Sequence, residues 1–191
     1  SGSAQEDSLQ GTGISHLTEH MLFKGTRTRS QEEIQRLIKS YGGSMNGATS
    51  FDTVSYQATV LSEYLEQTLD ILKDMVLNAS FREEDIRNEK KVILNEMKLN
   101  RDDSEKKISM LMWNRAYLRH PYRHPVIGYE EKLGRLMRGE IVAYYNKVYV
   151  PNNMIVTIVG GIDAESAIRS VKNIFRDLRR SGYEPSATPE E

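Results

Sequence analysis

Apolar residues recur at three- and four-residue intervals along most of the chain and at two-residue intervals along one short stretch, so helices are expected to outnumber strands. A helix is expected from about Gly13 to Phe23, ended by Lys24-Gly25-Thr26. Ser30-Gln31-Glu32-Glu33 reads as a capping box, followed by Ile34, Leu37, Ile38 and Tyr41 at helical spacing and stopped by Gly42-Gly43. From Ser44 to Leu61 the period becomes two: Val54, Tyr56, Ala58 and Val60 alternate with Thr53, Ser55, Gln57 and Thr59 and predict a strand with one buried face. Met45 to Thr49 would be its neighbour or an edge. Ser62 is expected to cap a helix carrying Leu65, Leu69, Leu72, Met75 and Val76, which ends near Asn78-Ala79-Ser80.

The longest helical pattern runs from Arg82 to about Arg101 and opens with glutamates, as the helix dipole prefers. Ile86, Ile93 and Met97 fall near one face, while Glu89 and Glu96, almost two turns apart, stack on another. A further helix is expected from Ser104 to about Leu118, then a proline-containing loop from Arg119 to Gly128. Two short helices should follow, Tyr129 to Leu136 and Gly139 to Tyr149, the second stopped by Pro151. Met154 to Val159 is a continuous apolar run bounded by Asn152-Asn153 and Gly160-Gly161, the pattern of a buried central strand. Asp163 would cap a last helix with Ile168, Val171, Ile174 and Phe175.

At 191 residues the chain suits one domain, and with 38% hydrophobic and 28% charged residues it reads as soluble and globular. The net charge of −1 offers no excess that favours nucleic acid or an anionic membrane. No run of about 18 apolar residues exists to span a bilayer, and no charged-then-apolar leader opens the chain. The absence of cysteine narrows the chemistry most: any metal must be held by His, Asp or Glu.

That restriction gives weight to His16-Leu17-Thr18-Glu19-His20. On a helix, residues four apart lie one above the other, so the two imidazoles point the same way, with the Glu19 carboxylate beside them. Two neutral imidazoles suit zinc, and a carboxylate held next to the metal can take a proton from a water at its open position. The spacing is that of the inverzincins. A catalytic zinc wants a third protein ligand. His120 and His124 are poor offers because Pro121 and Pro125 break the helix that would bring them together. The stacked face of Glu89 and Glu96 is the better one, and a second carboxylate there would orient the metal shell; a solvated helix face is the plain alternative.

These residues resemble the M16, pitrilysin and insulinase type of zinc metallopeptidase, closest to the group that includes the mitochondrial processing peptidase. His16 to Thr26 is similar to that family's metal helix, and Gly2-Ser3 through Glu6 to the end of the strand before it. His120-Pro121-Tyr122 with Pro125 to Gly128, and Tyr149 to Asn153, resemble two structural signatures. The resemblance implies an α+β half built on a mostly antiparallel sheet covered by helices, here expected to be incomplete at both ends. Residues 1–182 would form one catalytic domain and 183–191 a linker or cut end. It implies Zn2+ held by His16, His20 and Glu96, Glu19 as general base, and Glu89 as an additional active-site carboxylate. It also implies that Gly42 to Thr49 lines the cleft and pairs with an extended peptide as an added strand, with Asn46, Gly47 and Ala48 touching substrate. Family members usually carry alanine where this chain has Gly47. A second related half, on the same polypeptide or a homologous subunit, would add an Arg and Tyr pair. The expected function is a zinc endopeptidase of extended peptides or unfolded segments, in a bacterial cytoplasm or periplasm rather than a mitochondrial matrix. The alternative is a noncatalytic structural or regulatory subunit of the same family.

Overall fold

Four residues of the first long helix, Ile14, Leu17, Met21 and Leu22, are fully excluded from solvent, and they set the position of everything around them. In the computed structural model, which describes residues 1–187 and 189–191, the elements run α1 (Ile14–Leu22), α2 (Gln31–Ser40), β1 (Ser44–Thr49), β2 (Val54–Thr59), α3 (Leu65–Asn78), α4 (Glu83–Asp102), α5 (Ser104–Ala116), α6 (Glu130–Arg135), α7 (Arg138–Val148) and α8 (Ala164–Ile174). The fold is α+β, dominated by helices, and the sheet among the described residues is one antiparallel pair with Asn46 opposite Gln57 and Gly47 opposite Tyr56.

α1 is the hub because it is apolar on several sides. Leu17 and Met21 pack with Ile86, Ile93 and Met97 of α4 and with Ile141, Tyr144 and Tyr145 of α7 in one core cluster. Each such side chain contributes roughly 1.5–3 kcal/mol through burial. A smaller cluster joins Ile34 and Ile38 of α2 to Ile71 and Met75 of α3. The caps follow the expected chemistry at two places: Ser30 Oγ accepts the Glu33 N–H at 3.2 Å, and Asp163 Oδ2 accepts the Ser166 N–H at 2.8 Å.

The start of α1 is built differently. Gly13 adopts a left-handed conformation (φ 71°), and a Cβ there would lie 2.3 Å from the Ile127 carbonyl oxygen. The loop ending at Gly128 therefore presses backbone to backbone against the helix start. The buried Glu6 carboxylate serves as the cap, accepting the Ser15 N–H at 3.0 Å, while Ser15 Oγ meets the Tyr144 hydroxyl at 2.7 Å. Burial pushes the Glu6 carboxyl up to about 7, against hydrogen bonds from Ser15, Gly11 and Gly13 that pull it down. The folded chain thus holds this proton more tightly than the unfolded chain, so the contribution to stability is full below the ordinary carboxyl value of 4.5 and lost as pH rises through about 7. Glu6→Gln, which keeps an acceptor for Ser15, should leave stability at pH 5 little changed. At pH 8 it should raise it by up to about 3 kcal/mol, read from urea midpoints at the two pH values.

Three expectations need correction. Met154 to Val159 forms no strand; Ile155 is 94% and Val159 92% exposed, and no described strand lies beside the segment to pair with it. An apolar run supplies a face to bury, but a strand also needs a partner's backbone. Gly2 to Glu6 is not a strand end: Ser3–Gln5 is a 3-10 turn, although the Ser3 and Ala4 N–H groups donate to the Ser50 and Phe51 carbonyls at 3.0 and 2.8 Å. Ser62 opens a separate 3-10 turn, Ser62–Tyr64, so α3 starts at Leu65 without it as cap. Among the described residues no helix is long and apolar enough to cross a membrane.

Candidate metal centre and active site

α1 and α4 lie against each other, and this contact makes the site. His16 and His20 stand one turn apart on α1 with ring centroids 4.6 Å from each other and planes at 77°. Facing them, Glu96 of α4 places Oε2 3.8 Å from His16 Nε2. One donor atom from each of His16, His20 and Glu96 lies within 4.8 Å of the others. Two ligands on one tetrahedral zinc, each about 2.0–2.1 Å from the ion, sit roughly 3.4 Å apart, so a small contraction would complete the set.

Further observations fit a divalent cation here. Glu19, Glu89 and Glu96 converge on the two imidazoles with Lys24 as the cation that pairs with Glu89, a negative excess that a metal would offset. Burial, helped by the charge of His20, lowers His16 to about 4, which leaves its imidazole neutral and able to donate a lone pair. His20 behaves oppositely: burial pulls it down, but the Glu89 hydrogen bond and the charges of Glu19, Glu89 and Glu96 outweigh that and raise it. Its Nδ1 lies 2.9 Å from Glu89 Oε2, so Nδ1–H donates to the carboxylate and Nε2 is left for another partner. His16 has no such support, because its buried Nδ1 finds no hydrogen-bond partner.

Glu89 belongs to the buried stripe of α4 together with Ile86, Ile93 and Met97. Its other oxygen, Oε1, accepts from Lys24 Nζ at 2.7 Å. Burial would raise this carboxyl, but the bonds to His20 and Lys24 hold it below the usual range. The structure therefore sets Glu89 behind His20, in contact with the ring and not among the three converging donors.

Glu19 sits beside the imidazoles and is 8% exposed. Burial raises its carboxyl, with Thr49 and His20 opposing. Thr49 Oγ1–H donates to its Oε2 at 2.9 Å. On the same strand, a Cβ on Gly47 would fall 2.6 Å from Glu19 Oε1 and 2.8 Å from the Phe23 ring. The methyl expected at this position would stand where the carboxylate now lies. Along β1, Met45, Gly47 and Thr49 are half-buried while Asn46 and Ala48 are exposed. The strand pairs with β2 on one side, and among the described residues nothing pairs with its other edge. Asn46, Gly47 and Ala48 all line a cleft of about 1030 Å³ that also contains His16, His20 and Glu96. Asn46 Oδ1 accepts the Gly47 N–H at 2.9 Å.

His120 and His124 stay outside the donor set. His120 Nδ1 accepts the Tyr122 N–H at 3.2 Å, and the His124 ring packs edge-on against Tyr129. Three contributors went unread in the sequence: Glu6, Lys24 and Thr49. Lys24 had a signal, since it follows His20 by four residues and so continues the same helical face. Thr49 follows Gly47 by two, the strand period that puts both on the side of Glu19.

Comparison with known proteins points one way. A family model described as insulinase (peptidase family M16) matches residues 1–129, and one described as the peptidase M16 inactive domain matches 135–191. A Bacillus subtilis protein named an uncharacterized zinc protease is 33% identical over 170 residues, covering 89% of this chain and 41% of that protein. A Rickettsia felis protein with a similar name is 32% identical over 179 residues, covering 94% and 43%. The chain therefore spans about two fifths of the length of the curated relatives it matches. The crystal structure of a protease from Helicobacter pylori superposes with a TM-score of 0.89 at 25% identity, over 100% of this chain and 45% of that one. The Escherichia coli periplasmic protease PqqL shares the fold, with a TM-score of 0.89 at 24% identity over 100% of this chain and 22% of that one.

Proposed function

The chain belongs to peptidase family M16, and from that premise we propose that it is the metal-binding half of a zinc-dependent endopeptidase acting on extended peptides or unfolded segments. The observation that carries this reading is the convergence of His16, His20 and Glu96 on one point of a cleft whose wall includes an open strand edge. These three side chains would hold zinc, which when bound polarises the scissile carbonyl and lowers the pKa of a water toward about 7. Glu19 takes the proton of the attacking water and returns it to the leaving amine, and its raised carboxyl pKa suits both transfers. Thr49 keeps the Glu19 carboxylate oriented. Glu89 holds His20 with Nε2 toward the cleft, so its contribution as an active-site carboxylate runs through that ring.

β1 would receive the substrate. An extended peptide pairing with its open edge gains backbone hydrogen bonds that carry little sequence preference, which suits unfolded segments. Asn46, Gly47 and Ala48 lie along that edge, and Gly47 and Thr49 also touch Glu19, so the strand that seats the peptide is the one that seats the base. Gly47→Val would drive a branched side chain into Glu19 and Phe23. A displacement of about 1 Å in the base should cost on the order of 10²-fold in kcat with zinc content unchanged, measured by steady-state cleavage of a quenched peptide.

Residues 1–182 act as one unit in this reading, since the core cluster joins α1 to α7 and thereby spans both matched family models. The shared length with relatives supports a second M16-type half, on the same polypeptide or a partner subunit, completing the oxyanion site. Within the family, our reading sets the chain nearest the group that includes the mitochondrial processing peptidase, as its sequence resemblance implies. The test is cleavage of an unfolded polypeptide by the full-length protein. Activity should vanish with a chelator and return with one equivalent of zinc per site. A folded protein that holds no zinc and cleaves nothing would support the noncatalytic subunit instead.

A further inference from the structure

The Lys24 side chain ends on Glu89, the carboxylate that supports His20. The geometry points to Lys24 as a positioning residue for the metal centre: by occupying Glu89 Oε1 it commits Oε2 to His20 and so fixes the plane of that imidazole. The inference rests on the zinc reading of the site.

Lys24 Nζ is 2.7 Å from Glu89 Oε1, and Glu89 Oε2 is 2.9 Å from His20 Nδ1, so each oxygen of one buried carboxylate has its own partner. Both partners come from α1 and the residues that follow it, four positions apart, and Glu89 sits between them from α4. A carboxylate bonded on one side only can rotate about its last torsion and offer either oxygen. With the lysine in place that freedom is removed, and the ring it supports is held with Nε2 turned away toward the cleft.

The base from which Lys24 reaches is itself rigid. Its N–H donates to the Met21 carbonyl at 3.1 Å, and its own carbonyl accepts from Arg82 at 3.1 Å. The segment beyond is clamped by the buried Asp74, which accepts from Thr26 at 2.7 Å, Thr28 at 2.8 Å and Arg29 at 2.9 Å. The lysine therefore projects from a fixed backbone and is only 22% exposed, unlike the surface lysines whose ion pairs contribute little.

A purely structural ion pair tying α1 to α4 makes different predictions, and zinc affinity separates the two. Apo forms of the full-length protein, Lys24→Met, Glu89→Gln and the double variant are titrated with zinc against a chromophoric chelator, with circular dichroism and thermal melts of each apo form. Lys24→Met should weaken zinc roughly tenfold, the low end of the 10–100-fold range for outer-shell partners. In the Glu89→Gln background the same substitution should cost nothing more, because Lys24 acts through that carboxylate. Lys24→Met that melts lower yet binds zinc as tightly as the wild type would overturn the inference and leave the zinc reading standing. Equal losses in both backgrounds would overturn it too, since Lys24 would then act by another route. A wild-type protein that binds no zinc would overturn the proposed function and this inference with it.

Discussion

Glu19→Gln should leave zinc bound and remove turnover. The amide has the shape of the carboxylate, can still accept from Thr49, and fits the space that Gly47 leaves open, so neither the strand nor α1 has reason to move. His16, His20 and Glu96 are untouched, and the metal they would hold should be retained at one per chain. What is lost is the capacity to take and return a proton, a contribution of about 10²–10⁴-fold for a positioned general base. Metal analysis and steady-state cleavage on the same sample make the check. A zinc-loaded variant that turns over at the wild-type rate would show that Glu19 is not the base.

Glu96→Gln should fail in the opposite order, with loss of metal first and loss of cleavage as its consequence. Glu96 sits on the cleft side of α4 with a side chain 40% exposed, so the substitution should change fold stability by no more than about 0.5 kcal/mol. Its effect is then confined to the metal. Replacing an anionic ligand by a neutral amide should weaken zinc by more than the 10–100-fold typical of outer-shell changes, and excess zinc should restore part of the activity. In Glu19→Gln, excess zinc should restore none. The two variants thus separate holding the ion from moving the proton, and a Glu96→Gln protein with wild-type zinc affinity would remove Glu96 from the ligand set.

What could be read in the sequence was set by how local each feature is. The motif helix, the capped helices α2 and α8, and the alternation of β2 depend on neighbours within a few residues, and the structure reproduces them. Helical spacing alone shows the register that brings Glu96 to His16 only as a two-turn offset from Glu89, and it is the family resemblance that singles out Glu96 as the ligand. Which of the two carboxylates joins the donors, and which stands behind His20, depends on how α1 and α4 pack. Met154 to Val159 shows the limit from the other side: its apolar run is real, but without a paired backbone it stays exposed. Glu6 was hidden for a related reason: it is an ordinary polar residue until tertiary packing sets it against the start of α1.

The ligand set itself is open to direct observation. Crystals of the zinc-loaded protein, with diffraction recorded on either side of the zinc absorption edge, should show one strong anomalous peak per chain. It should lie about 2.0–2.2 Å from a nitrogen of His16, a nitrogen of His20 and an oxygen of Glu96, with Glu19 beside it and unbonded. A peak placed on other residues, or a folded protein with no peak at all after zinc loading, would contradict the assignment of this centre.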